Sequence, residues 1–250
     1  MYDAFISVDL GRQHDYTAII VAEEARWIGD PPDLGRFGPP TPVEWPPTMR
    51  GWVAPSELLP VQRQLFASLN YQGERPDRPP LLVRHIERVR GRPYPQIVDE
   101  IVDLLRRPPL AELSVALLVD AGGVGVAVLD LMRSAGLRPY AITATAGDRV
   151  NAPTVEDARC PKRELVAAAQ IVLAEGRLRI ASGLEHAPTL VNELTDYRVA
   201  ISQAGHDSYS ARTGAHDDLV FAAAMLCWFR DWFSIAFDDQ IRATRREQFA

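Results

Sequence analysis

The chain has 250 residues, 47% of them hydrophobic and 24% charged, the balance of an ordinary globular protein with room for a sizeable core in one large domain or two small ones. The formal net charge of −6 excludes a global basic signature of nucleic-acid binding and leaves only a local basic groove to look for. Cys160 and Cys227 stand far apart and form no metal-ligand spacing, so free thiols in a reducing compartment are expected. No charged and apolar leader pattern follows Met1, and the longest apolar run, Leu219 to Phe229, is too short to span a bilayer. No membrane partner is therefore expected.

In chain order, residues 1–24 read as a hairpin. Its first strand ends on Asp9, Gly11 allows a sharp turn, and the second strand starts near Tyr16 and runs through Val21. Residues 25–80 are rich in proline, from Pro31-Pro32 to Pro79-Pro80, which rules out a long regular helix and a central strand. An extended excursion is expected there, pinned by Trp27, Trp45 and Trp52, with a short strand near Trp52-Val53 and a short helix over Val61–Leu69. Leu81 to Val89 predicts a third strand, and Pro95 to Arg107 an amphipathic helix with Ile97, Ile101, Leu104 and Leu105 on one side. Leu113 to Val119 is a nearly continuous apolar run ending at Asp120, the pattern of a strand buried on both faces.

A small-residue turn, Ala121 to Gly125, precedes a helix over Val126–Ala135 and a strand over Leu137–Thr143. Residues 145–159 are expected to be a polar loop. Pro161 to Glu175 predicts a helix with proline near its start and Gly176 after its end. A short strand at Leu178–Ile180 and a helix over Leu184–Leu194 come next. Val199–Ile201 and Tyr209–Ala211 are expected to pair as a short hairpin, and a last apolar helix opens at His216-Asp217-Asp218. Strands first, then alternating β and α, define an α/β chain.

Three acidic features sit at the ends of apolar elements: Asp9, Asp120, and the pair Asp217 and Asp218. Each has a plain structural role open to it, in turn hydrogen bonding, helix capping or complementing a helix dipole. Together they also supply what a divalent-metal site requires, a few carboxylate oxygens held on rigid elements. Gly122-Gly123-Val124-Gly125 lacks the G-x-G-x-x-G spacing of a dinucleotide turn. Arg84, Arg88, Arg90 and Arg92 form a basic run that suits phosphate contacts or, equally, a solvated strand edge.

Four ordered pieces resemble the nuclease domain of the large terminase subunit of tailed bacteriophages. They are Val8-Asp9-Leu10-Gly11 with Asp15-Tyr16-Thr17-Ala18, Leu118 to Gly125, Pro161 to Leu165 with Gly176-Arg177-Leu178, and His216 to Ala222. The resemblance covers most of residues 4–230. It implies an RNase H-like α/β fold, a mixed central sheet flanked by helices, with residues 1–237 as a single nuclease domain that holds the Pro-rich insertion, and 238–250 as a basic tail. It implies a metal-dependent endonuclease that cuts concatemeric double-stranded DNA during packaging, in the cytoplasm of a bacterial host, by a two-metal mechanism with two Mg²⁺ or Mn²⁺ ions. On this resemblance Asp9, Asp120 and one or both of Asp217 and Asp218 are metal ligands. Asp15 is an auxiliary ligand or water-orienting residue, and Lys162, the sole lysine, touches DNA. One departure is clear. Lys162 follows Cys160-Pro161, so the phosphate-cradling G-x-x-x-x-G-K-[ST] loop of a packaging motor is absent and no ATPase domain is expected. An ATPase motor domain or chain, a small terminase subunit and a portal are then the implied partners. A sugar-kinase or actin-like ATPase lobe, a junction resolvase and a non-catalytic DNA-binding packaging module stand as alternatives.

Overall fold

Strand β1, Ala4–Asp9, is buried on both faces from Ala4 to Val8, and the rest of the molecule is laid down around it. The computed structural model describes residues 2–12, 15–28, 51–57, 79–123, 125–154, 156–204 and 217–232. β2, Tyr16–Glu24, returns antiparallel to β1 with Asp9 opposite Ala18. Short strands β3, Arg26–Ile28, and β4, Gly51–Val53, form a separate two-stranded sheet, which meets the expectation of a strand near Trp52-Val53. β5, Leu81–Arg90, pairs antiparallel with β2. β6, Val115–Asp120, runs parallel to β1 with Val8 opposite Val119. β7, Pro139–Thr145, β8, Asn151–Thr154, β9, Asp157–Pro161, and β10, Leu178–Ile180, complete an eight-stranded mixed sheet of order β10-β5-β2-β1-β6-β7-β9-β8.

Helices cover both faces, because the central strands carry apolar residues on both sides. Helix α1, Tyr94–Arg106, and helix α2, Gly125–Ser134, cover the face lined by Ile6, Val8, Ile19, Val21, Leu117 and Val119. α1 begins after Pro93 with Pro95 in its first turn, where a missing N–H costs nothing, and buries Ile97, Val98 and Ile101. Helix α3, Lys162–Ala174, helix α4, Ala187–Ala204, and a helix over 218–232, here α5, cover the other face. α5 is buried from Asp218 to Arg230, as a helix that is apolar on nearly every side must be. A mixed sheet flanked by helices is the architecture that the RNase H-like resemblance implies. Among the described residues no helix is long and apolar enough to cross a membrane.

Two expectations need correction. Residues 145–159 are not simply a polar loop: β8 and β9 form an edge hairpin whose second strand runs parallel to β7. Ala158 and Cys160 alternate inward between Asp157 and the exposed Arg159, but two small residues make too short an alternation to stand out locally. Val199–Ile201 is helical, within α4. The helix begun at Ala187 continues through these residues, and three residues of local β preference do not override it. The helix expected over 61–69, most of the Pro-rich stretch, residues 209–211, His216 and the tail 238–250 lie outside the described residues.

α5 lies along β1 and is fixed at several points. The Ser7 hydroxyl donates to the Ala222 carbonyl at 2.7 Å, and the Phe5 and Phe229 rings meet edge to face. At its far end, Arg230 donates to Glu24 at 3.2 and 3.4 Å, with both side chains about 6% exposed. Arg230 also donates to Asp231 at 2.6 Å, so loss of Glu24 removes its buried hydrogen bonds while one carboxylate partner remains. Glu24→Ala is expected to lower unfolding stability by about 2 kcal/mol, measured by urea denaturation; an unchanged midpoint would contradict that coupling.

Candidate metal centre

Strand pairing alone brings the first two acids together. Val8 and Val119 are partners in the parallel β1–β6 ladder, so the next residues, Asp9 and Asp120, lie side by side about one strand spacing (~4.8 Å) apart. Side chains alternate along a strand. Phe5 belongs to the α5 side of the sheet, as do Ala116 and Leu118, and two-residue steps from them put Ser7, Asp9 and Asp120 on that side too. The Ser7 bond to Ala222 then fixes which turn of α5 comes closest. Asp218 lies one turn before Ala222, as Asp9 lies one pleat beyond Ser7, so both acids arrive at the same place. The same row continues outward through Ala18, opposite Asp9, to Arg88, opposite Ala18.

A cavity of about 410 Å³ opens there, lined among others by Asp9, Asp15, Asp120, Asp217, Asp218 and Arg12. Its walls are tied down. The Gly11 N–H donates to Thr17 Oγ1 at 3.1 Å and its carbonyl accepts from the Tyr94 hydroxyl at 3.0 Å. A Cβ on Gly11 would stand 2.3 Å from the Tyr16 carbonyl oxygen, so only glycine permits this approach. The Gly122 N–H donates to Asp120 Oδ1 at 2.9 Å.

The electrostatics follow from burial first and from crowding second. Burial holds the Asp9 carboxyl well above the usual carboxylate range, and the charges of Asp120, Asp218 and Asp217 push the same way; the Lys162 ammonium opposes them. Asp120 is raised by burial, against the Gly122 N–H and Lys162. Lys162 Nζ lies 3.2 Å from Asp217 Oδ2. Arg88 donates to both oxygens of Asp218, at 2.7 and 2.8 Å, and that bond raises its own pKa. Its guanidinium also lies 3.9 Å above the Tyr16 ring.

Sequence reasoning missed Glu193. One of its carboxylate oxygens, Oε2, accepts the N–H groups of Leu219 and Val220, both at 3.1 Å, and so caps α5 at the turn that carries Asp217 and Asp218. Burial, then the charge of Asp218, raises its carboxyl to about 7. Nothing local marks it, since it sits inside α4 and 26 residues before its partner Leu219.

The four arginines of the basic run have largely different neighbours. Arg88 faces the cavity acids. Arg84 pairs with Glu57 and lies 3.8 Å from Glu23. Arg92 pairs with Glu87 and Glu100, and Arg90 lies near the Tyr16 ring. Asp15 is exposed at the cavity rim.

The donors are carboxylate oxygens, the ligand class that Mg²⁺ and Mn²⁺ prefer, and their mutual repulsion is what a bound dication relieves. The residues therefore fit such an ion chemically. They gather without converging: among the described residues no three His, Cys, Asp or Glu side chains stand as a ready-made cation-holding group. Asp218 is turned to Arg88 and Asp217 to Lys162.

Comparison with known proteins finds no matching family model and no matching curated protein. Among solved structures, the chain is similar to the crystal structure of the large terminase nuclease from thermophilic phage G20c (14% identity, TM-score 0.48) and to its forms with bound magnesium (13%, 0.48) and bound cobalt (15%, 0.47). Each alignment covers 90% of this chain and 80% of the other. At these identities no residue role is transferred from them.

If crowding of like charges dominates the cavity, removing one charge relieves it. Asp9→Asn is expected to raise the melting temperature in EDTA by about 2–4 °C, the shift that ~1 kcal/mol makes in a domain of this size. A lower or unchanged melting temperature would show that Asp9 is instead held by favourable contacts.

Proposed function

We propose that this chain is a divalent-cation-dependent DNA endonuclease of the terminase type, its residues 1–237 forming one nuclease domain. The observation that carries the reading is that β1, β6 and the start of α5 each deliver carboxylates to one open cavity. The sequence motifs that resemble terminase nucleases supply the substrate class, double-stranded DNA. In that setting the chain works in a bacterial host's cytoplasm beside an ATPase motor, a small subunit and a portal.

Asp9, Asp120 and Asp217 or Asp218 would hold two Mg²⁺ or Mn²⁺ ions, which supply charge neutralisation at the phosphate and a nucleophile at neutral pH. Asp9 would take the central position, since its carboxyl feels the charges of Asp120, Asp218 and Asp217. The Gly122 N–H keeps Asp120 in one orientation. Asp15, at the rim, would orient water or serve as an auxiliary ligand. Lys162, whose charge reaches Asp9, Asp120 and Asp217, limits the repulsion among the acids and offers an ammonium to an incoming phosphate.

Incubation of supercoiled plasmid with the protein and Mn²⁺ is expected to give nicked and linear DNA. Asp9→Asn and Asp120→Asn should each slow cleavage by roughly a thousandfold, about 4 kcal/mol of lost transition-state stabilisation. Cleavage by Asp120→Asn at the wild-type rate would overturn the assignment. A marked preference for four-way junctions over linear duplex would redirect it to a resolvase.

A further inference from the structure

We propose that Arg88 is a latch on Asp218, a positioning residue that holds this carboxylate until a divalent cation takes it and then passes to Glu193. The inference rests on the divalent-cation reading above and adds a competitor and a second acceptor to that site.

Three observations carry it. First, the Arg88 guanidinium engages both Asp218 oxygens in a fork, with Nε to Oδ2 at 2.7 Å and Nη2 to Oδ1 at 2.8 Å. That is the strong, directional form of a charge-assisted pair. The two side chains are only 13% and 8% exposed, so water weakens the pair little. A dication approaching Asp218 meets a fixed positive charge on the same oxygens. Second, Glu193 presents a waiting acceptor. Its Oε1 lies 3.3 Å from Arg88 Nη2, yet it is buried and has no hydrogen bond, an unfavourable state for a carboxylate oxygen. A shift of about half an ångström brings Arg88 to hydrogen-bond length. Glu193 stays in place, because Oε2 is fixed by the Leu219 and Val220 N–H groups. Third, the Tyr16 ring lies 3.9 Å from the guanidinium carbon and offers its face to the cation during such a shift.

Arg88 stands between two carboxylates and fully satisfies one of them at a time. Without a dication Arg88 neutralises Asp218; with one, Asp218 serves the metal and Arg88 neutralises Glu193. The under-satisfied Glu193 oxygen of the dication-free state gains its full partner only when Asp218 is released, which favours the exchange once a dication is bound.

The test is calorimetric titration of the intact chain with Mn²⁺, comparing wild type with R88K, E193Q and D9N. Lysine keeps the positive charge but loses the fork, so R88K separates a latch from a general field. R88K is expected to bind Mn²⁺ roughly tenfold tighter, the scale of one charge-assisted hydrogen bond. E193Q keeps an oxygen for the α5 N–H groups but removes the charged acceptor, and is expected to bind Mn²⁺ roughly tenfold more weakly. If R88K or E193Q binds as wild type does, while D9N abolishes the heat, the cation site stands and the latch is overturned. If the wild type and every variant bind no Mn²⁺, both readings fall.

Discussion

Like charges gathered in a half-buried place are the constraint on which the rest of this molecule turns. Asp9 has Asp120, Asp217 and Asp218 as electrostatic neighbours, and carboxylates so placed repel one another unless a scaffold or a cation holds them. The scaffold here is stiff. β1 and β6 pair in the middle of the sheet, α5 is buried against β1 through Ser7 and Phe5, and Glu193 caps the turn that carries two of the acids. The Glu24–Arg230 pair anchors α5 at the opposite end. Much of the core's rigidity serves to keep one strained corner in place.

Part of this was legible in the sequence, for definable reasons. An apolar strand ending on a carboxylate is a local signal, so Asp9 and Asp120 stood out. So did Asp217 and Asp218 at the entry of an apolar helix. That these acids share one cavity depends on strand order and on which face each strand shows to α5, and periodicity cannot supply either. Arg88 illustrates the gap. In the sequence it belongs to a basic run on a strand; in the fold it faces Asp218 across the row through Ala18. Ser7 and Glu193 carried no signal at all, because each acts on a backbone group far along the chain. The hairpin of β8 and β9 has little local signal because Ala158 and Cys160 are small and their alternation is short.

The charge pattern also orders events at the cavity. A cluster of carboxylates repels phosphate, so under the proposed function DNA would approach productively only once cations had reversed the local sign. The positive side chains already present, Lys162 and Arg88, are paired to Asp217 and Asp218. They soften the repulsion among the acids. Under the proposed function a net charge of −6 is no bar to DNA: ions would supply the positive charge at the site of reaction, and the protein the oxygens that hold them.

The most direct measurement is an anomalous-difference map from crystals of the chain soaked in Mn²⁺. The account predicts strong density inside the cavity within coordination distance of both Asp9 and Asp120. Crystals that take up Mn²⁺ elsewhere and show none between these two carboxylates would contradict it.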